Sequence, residues 1–117
     1  MGITRIDSNA RMSQLVINNN IAYLAGQVDE SSVLGRPAGE QTVNILAQID
    51  AYLAKAGTDK SKLLTALIIL SNMDDFAAMN AAWEAWVAPQ GAPTRATFEA
   101  KLAGPEYNVE IIVSAAI

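Results

Sequence analysis

The sequence predicts an α+β fold: a mixed six-stranded sheet with two helices packed on one face, in the order β-β-β-α-β-α-β-β. Three observations lead there. Residues 40–56 and 75–87 repeat apolar positions at helical spacing. Six other stretches alternate apolar and polar residues or run continuously apolar, as strands do. Clusters of Asn, Gly and Pro separate them. Helices inserted at two points among strands pack best together on one side of a common sheet. At 117 residues the chain is expected to form one domain, 1–117, because domains commonly hold roughly 100–150 residues.

Taken in order, Gly2 to Asp7 is a short edge strand anchored by Ile3 and Ile6. Arg11 to Asn18 becomes apolar through Leu15, Val16 and Ile17. Asn18, Asn19 and Asn20 then supply residues that tolerate positive φ, the signature of a hairpin turn. Ile21 to Val28 returns as a strand, and Gly26 near its end predicts a bulge or a close approach to the backbone. Asp29 to Gly39 has no hydrophobic period and reads as an exposed loop. Glu40 to Ala56 is an amphipathic helix with Ile45, Leu46, Ile49, Tyr52, Leu53 and Ala56 on its stripe, ended by Gly57. The continuous apolar run Leu63 to Leu70 suits a strand covered on both faces. Asn72 and Asp74 offer caps for a second helix, Asp75 to Val87, with Phe76, Met79, Asn80, Trp83 and Val87 along one side. Thr94 to Leu102 and Val109 to Ile117 both alternate, and Gly104-Pro105 between them predicts a closing hairpin.

Composition narrows the chemistry. There is no cysteine and no histidine, so disulfides, thiolate nucleophiles, thiolate metal sites and imidazole bases or ligands are excluded. Catalysis would rest on carboxylates, hydroxyls, Arg, Lys, backbone groups and water. A net charge of −4 with eight scattered basic residues argues against a nucleic-acid partner. No apolar run reaches the roughly 18 residues needed to span a bilayer, so the expectation is a soluble cytoplasmic protein without membrane association. Half of the chain is hydrophobic but only 17% is charged. Two helices cover one sheet face only, so the other face should be covered by further copies of the chain.

Few residues qualify for a site. Arg95 and Glu110 lie on the predicted closing hairpin, Asn80 on the second helix, and Gly26 with Gln27 at the end of the third strand. With a tight turn, Arg95, Thr97 and Glu99 share a face with Glu110, and Arg95 lies opposite Ser114, too far along to pair with Glu110. A slip of one residue reverses the face. Arg95 is either a rim arginine paired with a carboxylate or a guanidinium fork for an anionic ligand. Glu110, the one charge in an apolar strand, is either half of an intersubunit ion pair or a base holding water. Asn80 on a helix stripe is usually a satisfied buried amide, Met79, Trp83 and Trp86 read as core rather than a cofactor box, and the glycines as turn chemistry.

The run Pro93-Thr94-Arg95-Ala96-Thr97-Phe98, followed by Lys101-Leu102 and Val109-Glu110-Ile111, resembles the C-terminal signature of the reactive-intermediate deaminase family (RidA, also called YjgF-like). Ala25-Gly26-Gln27 is similar to the family's Ser-Gly-Gln strand end, and Met79-Asn80-Ala81-Ala82-Trp83 to its Asn-containing second helix. The resemblance covers essentially the whole chain. It implies a chorismate-mutase-like fold, a homotrimer with a central β-barrel core, and ligand clefts between neighbouring subunits. It implies hydrolysis of 2-imino or 2-enamino acids to 2-oxo acids and ammonia, without metal or organic cofactor. Arg95 then binds the substrate carboxylate and Glu110 positions water, while Thr97, Asn80, Gly26, Ala25 and Met12 line the pocket.

Three positions depart from the family's best-known deaminase pattern. Ala25 replaces a serine, Thr97 a cysteine and Met12 a tyrosine. They imply a different substrate side chain, a lower rate, or a ligand-binding role. The alternatives are therefore a non-catalytic binding module for small 2-oxo acids in the same trimer and, against the acidic charge balance, a ribonuclease or translation inhibitor.

Overall fold

The structure, a computed structural model, describes residues 2–117. Its elements are β1 (Thr4–Ser8), β2 (Ser13–Asn18), β3 (Ile21–Leu24), α1 (Ala38–Lys55), β4 (Leu63–Leu70), α2 (Phe76–Trp86), β5 (Thr94–Glu99) and β6 (Val109–Ala116). The order is the expected one. At the β2–β3 turn Asn19 and Asn20 adopt φ of 51° and 62°, as a tight hairpin of matching twist requires. Gly57, at φ 80°, ends α1 in the left-handed conformation that favours glycine. The Asn72 side chain accepts a bond from Asp74 N at 2.8 Å and starts the short 3-10 turn Met73–Asp75 that leads into α2.

The strands lie in the order β1-β2-β3-β6-β4-β5. All neighbours are antiparallel except β4 and β5, which run parallel with α2 as their crossover. The closing hairpin does not exist: β4 sits between β5 and β6 and pairs with both. The physical reason is the apolarity of β4. At the centre it has a partner on each side, whereas a β5–β6 hairpin would leave a strand so apolar at an exposed edge. The Gly104-Pro105 segment does turn, with Tyr107 N bonded to Gly104 O at 3.1 Å, but it carries the chain past the end of β4 rather than back along β5.

This order changes which residues share a face. Ala66 is flanked by Arg95 and Val113, Ile68 by Thr97 and Ile111, and Ile69 by Phe98 and Glu110. Ala66 and Ile68 are buried under the helices, so Arg95 and Thr97 belong to the helix side. Glu110 belongs to the opposite side, and the expected common face for Arg95, Thr97 and Glu110 is overturned.

The core lies between sheet and helices. The α1 stripe Ile45, Leu46, Ile49 and Leu53 is essentially inaccessible, as are Leu15, Ile68, Leu70 and Ile111 beneath it. Each such side chain contributes about 1.5–3 kcal/mol of burial. Strand β6 alternates strictly, with Val109, Ile111, Val113 and Ala115 buried and the residues between them half-buried. The other face of the sheet is open: Tyr23, Leu67 and Phe98 are 47%, 42% and 45% exposed. Strand β4 is thus covered on one face in a single chain, not on both.

Residues 29–37 also differ from expectation. Asp29 is 1% exposed and accepts bonds from Ser31 N at 3.0 Å, Ser31 Oγ at 2.6 Å and Asn44 Nδ2 at 2.9 Å, with Arg36 Nη1 at 3.6 Å. Ser32 Oγ and Gln41 Nε2 both donate to Glu106 O, at 2.9 and 3.1 Å. A loop without apolar anchors is pinned instead by a buried carboxylate.

Candidate functional site

Arg95 stands on the helix side of the edge strand β5, facing α2. Its Cζ lies 5.9 Å from the centre of the Phe76 ring and 5.8 Å from that of Trp83, and Nη1 lies 4.0 Å from Met79 Sδ. The spacing 76, 79, 83 puts these three on one stripe of α2. Among the described residues the ion pairs are Asp29 with Arg36 and Asp7 with Lys55. Arg95 is in neither, so the paired rim arginine is not realised within the chain.

Two polar atoms share this side. Thr97 Oγ1, two residues along β5, and Asn80 Oδ1, on the same stripe of α2, are both buried without a hydrogen-bond partner. An unsatisfied buried polar group costs roughly 1–3 kcal/mol, and both atoms lie on the side of the sheet where the Arg95 guanidinium has no carboxylate partner. Asn80 is therefore not the satisfied amide that is usual on a buried stripe.

Glu110 lies on the open side, over the end of β3. A Cβ placed on Gly26 would fall 2.9 Å from Glu110 Cδ and nearer still to Oε2. Glycine at this position leaves the space that the carboxylate fills, the close approach anticipated from the sequence. Gln27 N and O bond to Ile111 O and N at 2.8 and 3.0 Å, and between this bridge and the Tyr23–Ser114 pair the β3 side carries one residue more than β6. The extra residue is a bulge.

The backbone here is locked by amides. Gln27 Nε2 donates to Gln14 Oε1 at 3.0 Å and to Ala25 O at 3.2 Å, while Gln48 Nε2 donates to Val28 O at 2.8 Å and reaches Gln27 Oε1 at 3.3 Å. Gln14 and Gln48 gave no sign of this in the sequence, because they lie far from Gln27 along the chain. Ala25 N bonds to Gln14 O at 2.9 Å. Met12, 37% exposed, immediately precedes β2 at this same end of the sheet, its N bonded to Asn9 Oδ1 at 3.0 Å.

The structure thus divides the anticipated residues into two groups. Arg95, Thr97 and Asn80 stand on one side; Glu110, Gly26, Ala25 and Met12 cluster at one end of the sheet, with Glu110 on the other side. Arg95 and Glu110 are separated by one intervening strand and by three residues of register, about 14 Å in the plane of the sheet. Met79 and Trp83, read as core, and Phe76, placed on the same helical stripe, are also the neighbours of Arg95. Their helical period was visible, but their target was not.

Comparison with known proteins gives one consistent result. The family model described as Endoribonuclease L-PSP matches residues 2–117. A RutC family protein of Haemophilus ducreyi is 53% identical, covering 98% of this chain and 97% of its own. The RutC family protein YoaB of Escherichia coli is 52% identical with full coverage, 100%, of both. A member of the YjgF protein family from Neisseria meningitidis superposes with a TM-score of 0.94 at 45% identity, covering 99% of this chain and 95% of that one.

Proposed function

From the premise that this chain belongs to the RidA/YjgF family, which the Endoribonuclease L-PSP model describes, we propose that it hydrolyses small 2-imino or 2-enamino acids to 2-oxo acids and ammonia. The observation that carries the reading is the seam between α2 and β5. An exposed guanidinium without a carboxylate partner lies on the same side of the sheet as two buried polar atoms without partners. A substrate carboxylate would take the guanidinium fork in two parallel bonds.

The opposed placement of Arg95 and Glu110 supports a pocket assembled from two chains. A ligand of six or seven heavy atoms does not span about 14 Å across a sheet. A homotrimer closed through the open faces, burying Tyr23, Leu67 and Phe98 in a central barrel, would bring Arg95 of one copy toward Glu110 of the next. The reading thus takes up the chorismate-mutase-like assembly and the clefts between subunits.

In such a cleft Arg95 fixes the carboxylate and so the orientation of C2. Glu110 accepts a proton from water as the water oxygen bonds to C2 of the imine, and the imine π pair moves to nitrogen, which takes that proton from Glu110. The resulting carbinolamine loses ammonia after that nitrogen is protonated, and loss of the hydroxyl proton leaves the 2-oxo acid. Thr97 Oγ1 and Asn80 would hydrogen-bond the substrate nitrogen or the departing ammonia. Ala25 offers no hydroxyl beside Gly26, which favours, as a second reading, a 2-oxo acid binding module with slow or no turnover.

Ammonia release from freshly generated 2-iminopropionate tests the first reading. It should exceed the uncatalysed rate, and the excess should vanish in Arg95→Ala. Calorimetric binding of pyruvate without acceleration would transfer the conclusion to the binding module, and neither binding nor acceleration would overturn both.

A further inference from the structure

We propose that Phe76, with Trp83 and Met79, is a positioning residue for Arg95: the apolar edge of α2 orients the guanidinium without neutralising it. The inference rests on the carboxylate-binding reading of Arg95. An arginine is usually fixed by a carboxylate, which occupies its N–H edge and cancels its charge. Here two ring centres lie 5.9 and 5.8 Å from Cζ and a thioether sulfur 4.0 Å from Nη1. Rings within about 6 Å attract the cation through their faces. That holds the plane while leaving N–H groups for a second partner.

The brace is itself held. Trp83 is 5% exposed and packs against Trp86 with centroids 5.5 Å apart and planes tilted by 51°. Phe76 is the first residue of α2, directly after the 3-10 turn. In that turn Met73 N donates to Glu99 Oε2 at 2.9 Å. Glu99 shares with Arg95 and Thr97 the helix-facing parity of β5, so this bond pins the start of α2 to the strand that carries Arg95. Phe76 remains 38% exposed. Core burial alone gives little reason for an aromatic ring there, whereas the contact with Arg95 does.

The geometry predicts a separation of effects. Phe76→Leu keeps an apolar side chain on α2 but removes the ring face, and Phe76→Trp restores one. The Arg95 Nε–Hε NMR signal, assigned by its disappearance in Arg95→Lys, should be displaced by ring currents in the native protein, shift in Phe76→Leu, and be displaced again in Phe76→Trp. Pyruvate affinity by calorimetry should fall roughly three- to tenfold in Phe76→Leu and recover in Phe76→Trp, with melting temperatures of the three proteins close together. An Arg95 signal identical in the native protein and Phe76→Leu overturns the brace, as does unchanged pyruvate affinity in Phe76→Leu. If the native protein neither binds pyruvate nor accelerates imine hydrolysis, the carboxylate reading fails, and the NMR shift alone decides the brace.

Discussion

Arg95 and Glu110 project from opposite faces of one sheet, from strands that flank β4 on its two sides. Residues so placed can meet one small ligand only if the second comes from another copy of the chain. Mixing inactive variants tests this. If the chain assembles as the proposed trimer, the Arg95→Ala and Glu110→Gln proteins should each be inactive. Trimers refolded from an equal mixture should regain about a quarter of native activity, since a site that draws Arg95 from one chain and Glu110 from the next is intact in that proportion. Absence of recovery in verified mixed trimers would overturn the shared pocket.

Gly26 offers a second test. Its φ is not positive, so alanine meets no backbone strain, but the new methyl would occupy space held by the Glu110 carboxylate. Because that carboxylate ends a flexible chain, it should swing aside at small cost. Gly26→Ala is therefore expected to lower kcat by tenfold or more, on the order typical of a misplaced catalytic group, while urea denaturation moves by less than about 1 kcal/mol. Equal losses of stability and activity would show that Gly26 serves the fold rather than Glu110.

These relationships were unevenly legible in the sequence. The alternation of β6, the α1 stripe and the Asn19-Asn20 turn depend on neighbours in the chain, and the structure reproduces them. The pairing of β5 was misread because Gly104-Pro105 signals a turn and says nothing about which strand follows the turn in space. Inserting β4 between β5 and β6 is a long-range event, and it moves Arg95 and Glu110 to opposite faces. Local chemistry also failed at Asp29. A Ser- and Gly-rich loop reads as exposed, whereas the carboxylate is buried by partners as distant as Asn44.

Asp29 should set an acid limit on stability. Burial pushes its pKa up, but the bonds from Ser31 and Asn44 and the charge of Arg36 outweigh burial and hold it below the ordinary 3.8. A folded-state value below the unfolded one means the contribution is fully present above the unfolded value and is lost as the pH falls from there through the folded value. Asp29→Asn places a donor against the donors of Ser31 and Asn44, and should cost about 1–3 kcal/mol at pH 7. Urea titrations should show the gap constant from pH 7 to 5 and shrinking below about pH 5, where unfolded aspartate begins to protonate. A gap independent of pH down to 2 would mean that lost packing, not the charge, explains the variant.

The open face supplies the last test, because it links assembly to activity through residues remote from the proposed chemistry. Leu67 and Phe98 occupy adjacent strands on that face, 42% and 45% exposed, and Phe98 flanks the same β4 residue as Glu110. In a single chain a charge at position 67 meets water and costs the fold little. In a closed trimer it would be buried against apolar side chains, at a cost of several kcal/mol for an unpaired ion. Leu67→Asp should therefore remain folded by circular dichroism, shift in light scattering from trimer to monomer mass, and lose imine hydrolysis although Arg95 and Glu110 are both present. Full activity in a verified monomer would contradict the shared pocket. A native protein that is itself monomeric would remove the barrel from the proposal and leave the open face to another partner.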